Sequence, residues 1–469
     1  MMLQALVLLV SAQRSVQMPA RPAPRPSLAT AVRHLADPRT SWEQRLGAMQ
    51  AVEDAGRPLT EAQLKTLQVA LGAASQAPSG ACPPDERERG SCGIEVGPCL
   101  SPAGFILAAV AESAASGEFV DAALRVLDEG KDPWARPIAR RLLGRARHAR
   151  AEREAQALLE LRAYACVGEA ARILAPLPRL SSATRALLER EATGASANSL
   201  AVAELVASRA EPWAEALVER LLRHADVDLR LGAVRGRAGR LASSPGVREA
   251  LAEVARCDAA AHVRKEALDV HRAAGVEVKP APCAAPEWTV ADRVVRGKGL
   301  EVTLRSSSSV AAPSAACAQW AGARGFFALG TVGAACVVGI DRGEFGGGLL
   351  TFRAGQAEVL ARDDFLNPVA LLRRGHEVLV MSALDHLGGS GGVGRVSRDD
   401  GATLSYERLM RLPGRPSAWA TVGDRLFVSF DPESLAGPCA STGDEVTYVF
   451  EADGAFSLAR GAATRCRWP

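Results

Sequence analysis

From residue 27 to 274 the chain is written in short helix-length segments separated by tight breaks. Ser41-Trp42-Glu43-Gln44 has the capping-box form, a hydroxyl at the N-cap and an amide three residues on, and Leu46, Met49 and Val52 then recur at helical spacing. Thr60-Glu61-Ala62-Gln63 repeats the signal before Leu64, Leu67 and Leu71. A Cys-, Pro- and Gly-rich loop over 77–101 interrupts the series. Helical segments resume at Ala103, with breaks near 130–133, 176–178, 194–198, 211–212, 225–226 and 243–246. Short helices with short breaks predict stacked helical hairpins, each burying its apolar face only against the next.

One phrase repeats. Asp226-Val227-Asp228-Leu229-Arg230-Leu231-Gly232-Ala233 aligns with Ala260-Ala261-His262-Val263-Arg264-Lys265-Glu266-Ala267 at an offset of 34 residues. Ala135-Arg136-Pro137-Ile138-Ala139 and Arg45-Leu46-Gly47-Ala48 give weaker echoes. This phrase resembles the HEAT-like repeats, most clearly over 225–274 and more faintly over 130–150. In that family an Asp caps the second helix of a hairpin and an Arg four residues later ties neighbouring repeats. The resemblance implies these roles for Asp226 with Arg230 and for Asp258 with Arg264, Asp258 standing two residues further back than the pattern asks.

A Pro/Ala-rich linker over 276–288 ends the helical pattern. The stretch 290–304 reads as one or two strands. Short apolar runs between Gly and Asp turns follow at 326–329, 334–340, 349–352, 359–361, 369–372, 377–381, 393–396, 418–422, 426–430 and 446–450. Strands without intervening helices predict an antiparallel β domain. A Val-rich strand recurs at offsets of roughly 40–50 residues, the length of a propeller blade. Space for three or four such units leaves a partial propeller or a β-sandwich. The expected fold is thus α plus a separate β domain: a signal peptide over 1–12, a Pro/Arg-rich tail over 13–26, a HEAT-like array over 27–275, the linker, and a β-rich domain over 289–469.

The apolar run 3–10 followed by Val10-Ser11-Ala12 has the form of a secretory leader and its cleavage site. Cys82, Cys92, Cys99, Cys283, Cys317, Cys336, Cys439 and Cys466 fall in loops or β structure, as disulfides in an oxidising compartment would. Proximity pairs Cys317 with Cys336 and Cys439 with Cys466. Cys166 and Cys257, in helical segments, read as small buried hydrophobes. The Cys spacings do not fit zinc, and no metal or cofactor is expected. Other than the leader, no stretch is long and apolar enough to span a bilayer. The 56 basic and 53 acidic residues nearly cancel, which argues against a dedicated nucleic-acid binder.

Gly388-Gly389-Ser390-Gly391-Gly392, beside Asp385 and His386, matches the hydrolase string G-x-S-x-G, and the same run matches G-x-G-x-x-G. Both motifs need a helix after the glycines, whereas Val393 to Ser397 reads as a strand, so a Gly-rich hairpin loop is expected. Asp341-Arg342-Gly343-Glu344 precedes three glycines. Asp341, Glu344, Asp385 and His386 are the residues to inspect for a small ligand or Ca²⁺, with Asp363 and Asp364 as further oxygens. Arg136, Arg140, Arg141, Arg145, Arg147, Arg150 and Arg153 form a basic segment whose acidic neighbours imply an ion-paired face. The reading is an exported, non-enzymatic interaction or ligand-presenting protein, its partner a protein. The alternatives are a hydrolase-type or sugar-active enzyme with a carboxylate site in the β domain, and a cytoplasmic HEAT-like nucleic-acid scaffold.

Overall fold

A computed structural model describes residues 26–37, 39–55, 59–74, 100–111, 114–129, 135–161, 164–193, 199–258, 260–283, 287–291, 293–305, 317, 326–332, 335–341, 347–353, 356–363, 367–374, 377–384, 390–398, 404–412, 414–430, 446–451 and 456–461. The loop cysteines Cys82, Cys92 and Cys99, the pair Cys439 and Cys466, and the leader lie outside them. The chain forms two compact units, 1–148 and 149–469.

The first unit holds helices α1 (Leu28–Ala36), α2 (Trp42–Asp54), α3 (Glu61–Ala74), α4 (Pro102–Ala111), α5 (Val120–Glu129) and α6 (Ala135–Arg145). Ser41 and Gln44 exchange the two hydrogen bonds that their spacing predicts, as do Thr60 and Gln63. Helix α4 is apolar all round and is buried from Ala103 to Ala111, which makes it the centre of this unit. Helix α6 ends at Arg145, and Arg147 takes a left-handed φ of 54°. The basic segment is therefore not one continuous helical face. Arg140 is buried in α6, and Arg150 pairs with Glu154 beyond the break.

Among the described residues the second unit opens with eight α-helices: α7 (Ala149–Glu160), α8 (Tyr164–Leu174), α9 (Ser182–Thr193), α10 (Ser199–Ser208), α11 (Pro212–Leu221), α12 (Val227–Arg237), α13 (Pro245–Cys257) and α14 (Ala261–Ala273). They pair as hairpins α7/α8, α9/α10, α11/α12 and α13/α14, and the second helices α8, α10, α12 and α14 touch one after another. The closest crossing is α10 on α12. A Cβ on Gly232 would meet the Leu200 carbonyl and stand 2.8 Å from Ala203 Cβ, and one on Gly236 would meet the Glu204 carbonyl and stand 2.7 Å from Ala207 Cβ. Only glycine lets the two backbones approach so far.

Fifteen strands follow among the described residues: β1 (Trp288–Ala291), β2 (Val294–Gly297), β3 (Leu300–Thr303), β4 (Phe326–Val332), β5 (Ala335–Asp341), β6 (Gly347–Arg353), β7 (Gln356–Asp363), β8 (Pro368–Arg374), β9 (Glu377–Leu384), β10 (Ser390–Arg398), β11 (Leu404–Leu412), β12 (Pro416–Val422), β13 (Arg425–Phe430), β14 (Val446–Phe450) and β15 (Phe456–Gly461). Three consecutive four-stranded meanders, β4–β7, β8–β11 and β12–β15, account for most of them. The third is extended by β1, β2 and β3, and β1 pairs with β15 in parallel. Among the described residues the domain is thus antiparallel except at that one pairing. A two-way backbone bridge between Arg305 and Trp419 joins the far edges of this seven-stranded sheet at one point. All seven of its strands contribute to one apolar cluster around Trp288 and Phe427. The first two meanders bury Val337 and Leu349 against Val378, Val380 and Val396. The second and third bury Met381, Val393 and Met410 against Trp419, Phe430 and Tyr448. Each meander covers an apolar face of the next.

Two cysteine readings are corrected. Cys257 is not a free thiol but bonds Cys283 across 26 residues, and Cys166 is disulfide-bonded as well. Cys317 and Cys336 form a disulfide. The Cys257–Cys283 bond and a hydrogen bond from Arg256 to the Lys279 carbonyl return the linker to the end of α13. The Gly-rich run is corrected too: Ser390 to Gly394 open strand β10 rather than a loop. A side chain on Gly394 would strike the Tyr406 ring, and one on Gly391 the Gly414 carbonyl.

Candidate functional site

Among the described residues, a dense set of buried charged groups lies where the α11/α12 turn meets strands β11 and β14. It is built from the repeated phrase. Asp226 is the N-cap of α12, and its Oδ1 accepts from the Asp228 N–H at 2.8 Å and the Leu229 N–H at 3.4 Å. This is ordinary N-cap chemistry. Its Oδ2 accepts the Arg411 backbone N–H of β11 at 3.1 Å, and the Arg411 guanidinium pairs with Asp228 at 3.0 Å. One capping residue therefore serves a helix and a strand together.

Arg230, one turn into α12, is 2% exposed. Its Nε and Nη2 hold the Asp258 carboxylate at 2.8 and 3.2 Å. Its Nη1 donates to the carbonyls of His224 and Ala225 at 2.6 and 3.0 Å, and Nη2 also donates to the Tyr448 hydroxyl at 2.9 Å. A guanidinium has five N–H groups, and each is engaged. Asp258 Oδ1 also accepts the Ala260 N–H at 2.7 Å. It therefore does not cap α14 as Asp226 caps α12; the N-cap of α14 is Ala260, without a side-chain bond. Arg264 returns to the Asp258 carbonyl, six residues back, as Arg230 returns to His224.

Electrostatics follow from burial. The Asp226 carboxyl is raised to about 6, by burial first and then by the Asp228 charge, against the N–H groups of Arg411, Asp228 and Leu229. The His224 imidazole is lowered to about 4 by burial and by Arg230, and burial lowers His262 as well. Burial lowers the Arg230 guanidinium, but Asp258 and Tyr448 more than offset it and hold its proton firmly. Burial raises the Tyr448 hydroxyl.

Of the residues singled out for a ligand, Glu344, Asp385 and His386 lie outside the described residues. Asp341 ends β5, and the register sets it beside Gly347, which in turn sits beside Asp363 of β7. Asp341 and Asp363 thus share a level two strands apart, roughly 10 Å by the usual strand spacing. Among the described residues no three metal-ligating side chains come together, and no helix is long and apolar enough to cross a membrane. Sequence reading named Asp226, Arg230, Asp258 and Arg264 but missed Arg411 and Tyr448. No local signal marks either, because their partners lie 183–218 residues away.

A second polar series runs along the helices. Thr184 donates to Glu152, Arg190 to the Leu159 carbonyl, Arg220 to Glu189, and Arg235 to Glu266. Arg209 reaches the Leu177 and Leu174 carbonyls, and Arg240 reaches the Arg209 carbonyl. All of these separations fall between 31 and 35 residues. The chain matches no family model, and no curated protein matches it.

Proposed function

We propose that the chain is an exported, non-enzymatic interaction or ligand-presenting protein, in which HEAT-like repeats offer an extended surface and a propeller-like β domain is fixed to them. The observation that carries this reading is the saturated Arg230. The most charged buried cluster spends its donors on Asp258, two carbonyls and Tyr448. That is the chemistry of a rigid joint between two modules, not of a group held ready for a substrate. Hydrogen bonds between helices share a spacing of 31–35 residues, beside others at 22–29, and their recurrence supports the repeat reading. The three consecutive meanders, each packed on the next, support the blade reading. The disulfides Cys257–Cys283 and Cys317–Cys336 support export.

Two measurements test it. Intact mass of the natively expressed protein, with and without reduction, should show a chain lacking about the first dozen residues, as a cleaved leader requires, and thiols that label only after reduction. A full-length chain with free thiols overturns export. Photo-crosslinkers placed at exposed Glu219 and Glu249 on the helices, and at exposed Glu407 on the sheet, should give a discrete protein adduct that forms again with the purified partner. Failure at all three positions overturns the interaction reading.

A further inference from the structure

The disulfides Cys317–Cys336 and Cys257–Cys283 stand in opposite surroundings. Cys317 and Cys336 are 1% and 0% exposed and lie in an apolar cluster with Val338 and Phe352. Cys257 and Cys283 are half-buried, and Ala281 and Pro282 beside them are exposed. Reduction requires a thiolate to reach a sulfur, so access decides which bond a dithiol breaks first.

The accessible bond closes a strap. After α14, Gly275 takes a left-handed φ of 66°, and the N–H groups of Gly275 and Val276 donate to the Arg272 and His271 carbonyls, both at 3.0 Å. This Schellman turn reverses the chain. The strap then alternates: Val276 and Val278 pack on the apolar cluster that α13 and α14 share, while Glu277 and Lys279 are exposed. His271 is buried beside the turn, and neither of its ring nitrogens has a hydrogen-bond partner. The ring faces the Val276 backbone and Arg256, and burial keeps it neutral. At the far end of the strap, Arg256 donates to the Lys279 carbonyl at 3.3 Å in an exposed hydrogen bond. The disulfide is therefore the strong fastening, and without it the strap rests on half-buried valines and that one exposed contact.

We infer that Cys257–Cys283 is a latch operated by a dithiol: its reduction frees the strap and uncovers His271 while the helices beneath stay folded. A thiolate of the dithiol attacks one sulfur, and a mixed disulfide forms as the Cys257–Cys283 bond breaks. The departing cysteine thiolate takes up a proton. The second thiol of the dithiol loses its proton and displaces the remaining protein sulfur, which is protonated in turn. Two electrons pass to the protein pair, and the dithiol leaves as a disulfide. Oxidation of the pair by the reverse exchange closes the strap again.

The test treats the natively expressed, oxidised full chain with dithiothreitol, traps thiols with iodoacetamide, and reads the peptides that hold Cys257, Cys283, Cys317 and Cys336 by mass spectrometry. The Cys257–Cys283 pair should open at least about tenfold faster than Cys317–Cys336. Once it is open, carbethoxylation of His271 by diethyl pyrocarbonate and cleavage after Glu277 by a glutamyl endopeptidase should each speed up at least about tenfold. Far-UV circular dichroism should not change, and reoxidation should protect His271 again. Val278→Ser weakens the apolar seat and leaves both cysteines in place; the pair should then reduce about three- to tenfold faster, because the strap lifts more often. The inference is overturned if the bond is absent from the natively expressed chain or both pairs open together. It is equally overturned if His271 stays unreactive after reduction, if helical signal is lost with the bond, or if Val278→Ser reduces at the wild-type rate.

Discussion

The crossing of α10 on α12 sets two effects of one substitution against each other. Replacing a helix-interior glycine by alanine ordinarily stabilises by about 0.8–1.0 kcal/mol, because glycine loses more backbone freedom on folding. At Gly236 the new Cβ would stand 2.7 Å from Ala207 Cβ and also meet the Glu204 carbonyl; at Gly232 it would stand 2.8 Å from Ala203 Cβ and meet the Leu200 carbonyl. Comfortable carbon contacts lie at about 3.5–4.0 Å, so the helices must separate by roughly 1 Å. The opposing atoms are backbone and Cβ, which cannot swing aside as a flexible side chain could. Overpacking of this kind costs about 1–3 kcal/mol, and its upper end applies. The net expectation for Gly236→Ala is a loss of about 2 kcal/mol, or roughly 3 °C in the melting of the second unit. Gly232→Ala should behave alike, and the double variant should lose more than either but less than their sum, since one separation relieves both clashes. Gly47 of α2 has nothing within 4 Å of its Cβ position. Gly47→Ala should therefore stabilise the first unit by about 0.8 kcal/mol. Differential scanning calorimetry of the full chain, with each unit assigned from its own variants, checks all four. A Gly232→Ala/Gly236→Ala double variant that melts at or above the wild type would refute the claim that close backbone approach holds this crossing together.

Further expectations concern the joint, one turn and one disulfide. Tyr448→Phe removes one of the partners of Arg230 Nη2 and should cost about 1.5–3 kcal/mol, as for other hydrogen bonds to charged groups, read from urea unfolding curves. Arg147→Gly relieves the left-handed residue after α6 and should stabilise by about 0.5–1 kcal/mol in the same assay. Replacing both Cys257 and Cys283 by serine frees a 26-residue closure and should cost about 3 kcal/mol, with faster proteolysis of the linker as a second readout. Glu215 is held down at about 2 by Arg237 first and then by Arg240. Its lowered value means that its contribution is present above 4.5 and is lost as pH falls through about 2. Glu215→Gln should accordingly flatten the acid limb of the stability curve below pH 4.5.

What could be read from the sequence divides along the range of the interactions. Caps and helix breaks depend on residues three or four apart, so Ser41 with Gln44 and Thr60 with Gln63 were legible. Strands β5, β9 and β13 were legible because each is a continuous apolar run between turns. Strands β11 and β15 were not. Leu404–Leu412 carries a Glu and two Arg among its apolar residues, so its pattern does not separate strand from helix, and β15 is a short run broken by Arg and Gly. The glycines of β10 read as a loop because a single strand does not show what lies above it. They are small because Tyr406 of the neighbouring strand and the Gly414 carbonyl occupy the space. Cys257 misled for the same reason, since its partner stands beyond the end of the helix that carries it.

The site divides in the same way, and the division explains the arrangement. The repeated phrase marked Asp226 and Arg230 as residues that would bond within a helical array. Most of their bonds do: Asp226 to its own helix, and Arg230 to Asp258 of the next hairpin and to the His224 and Ala225 carbonyls. Two reach the β domain, at Arg411 and Tyr448. A local cap and a ladder arginine thus become the joint without any added residue type. A buried arginine of this kind tolerates no simpler replacement. Lysine has three donors on a point charge where five in a planar fork are used, so it cannot hold both oxygens of Asp258 and still reach Tyr448. Conservative exchange at Arg230 should therefore loosen the helices and the sheet together, whereas exchange at Arg235, whose pair with Glu266 is part-exposed, should change stability by less than about 1 kcal/mol.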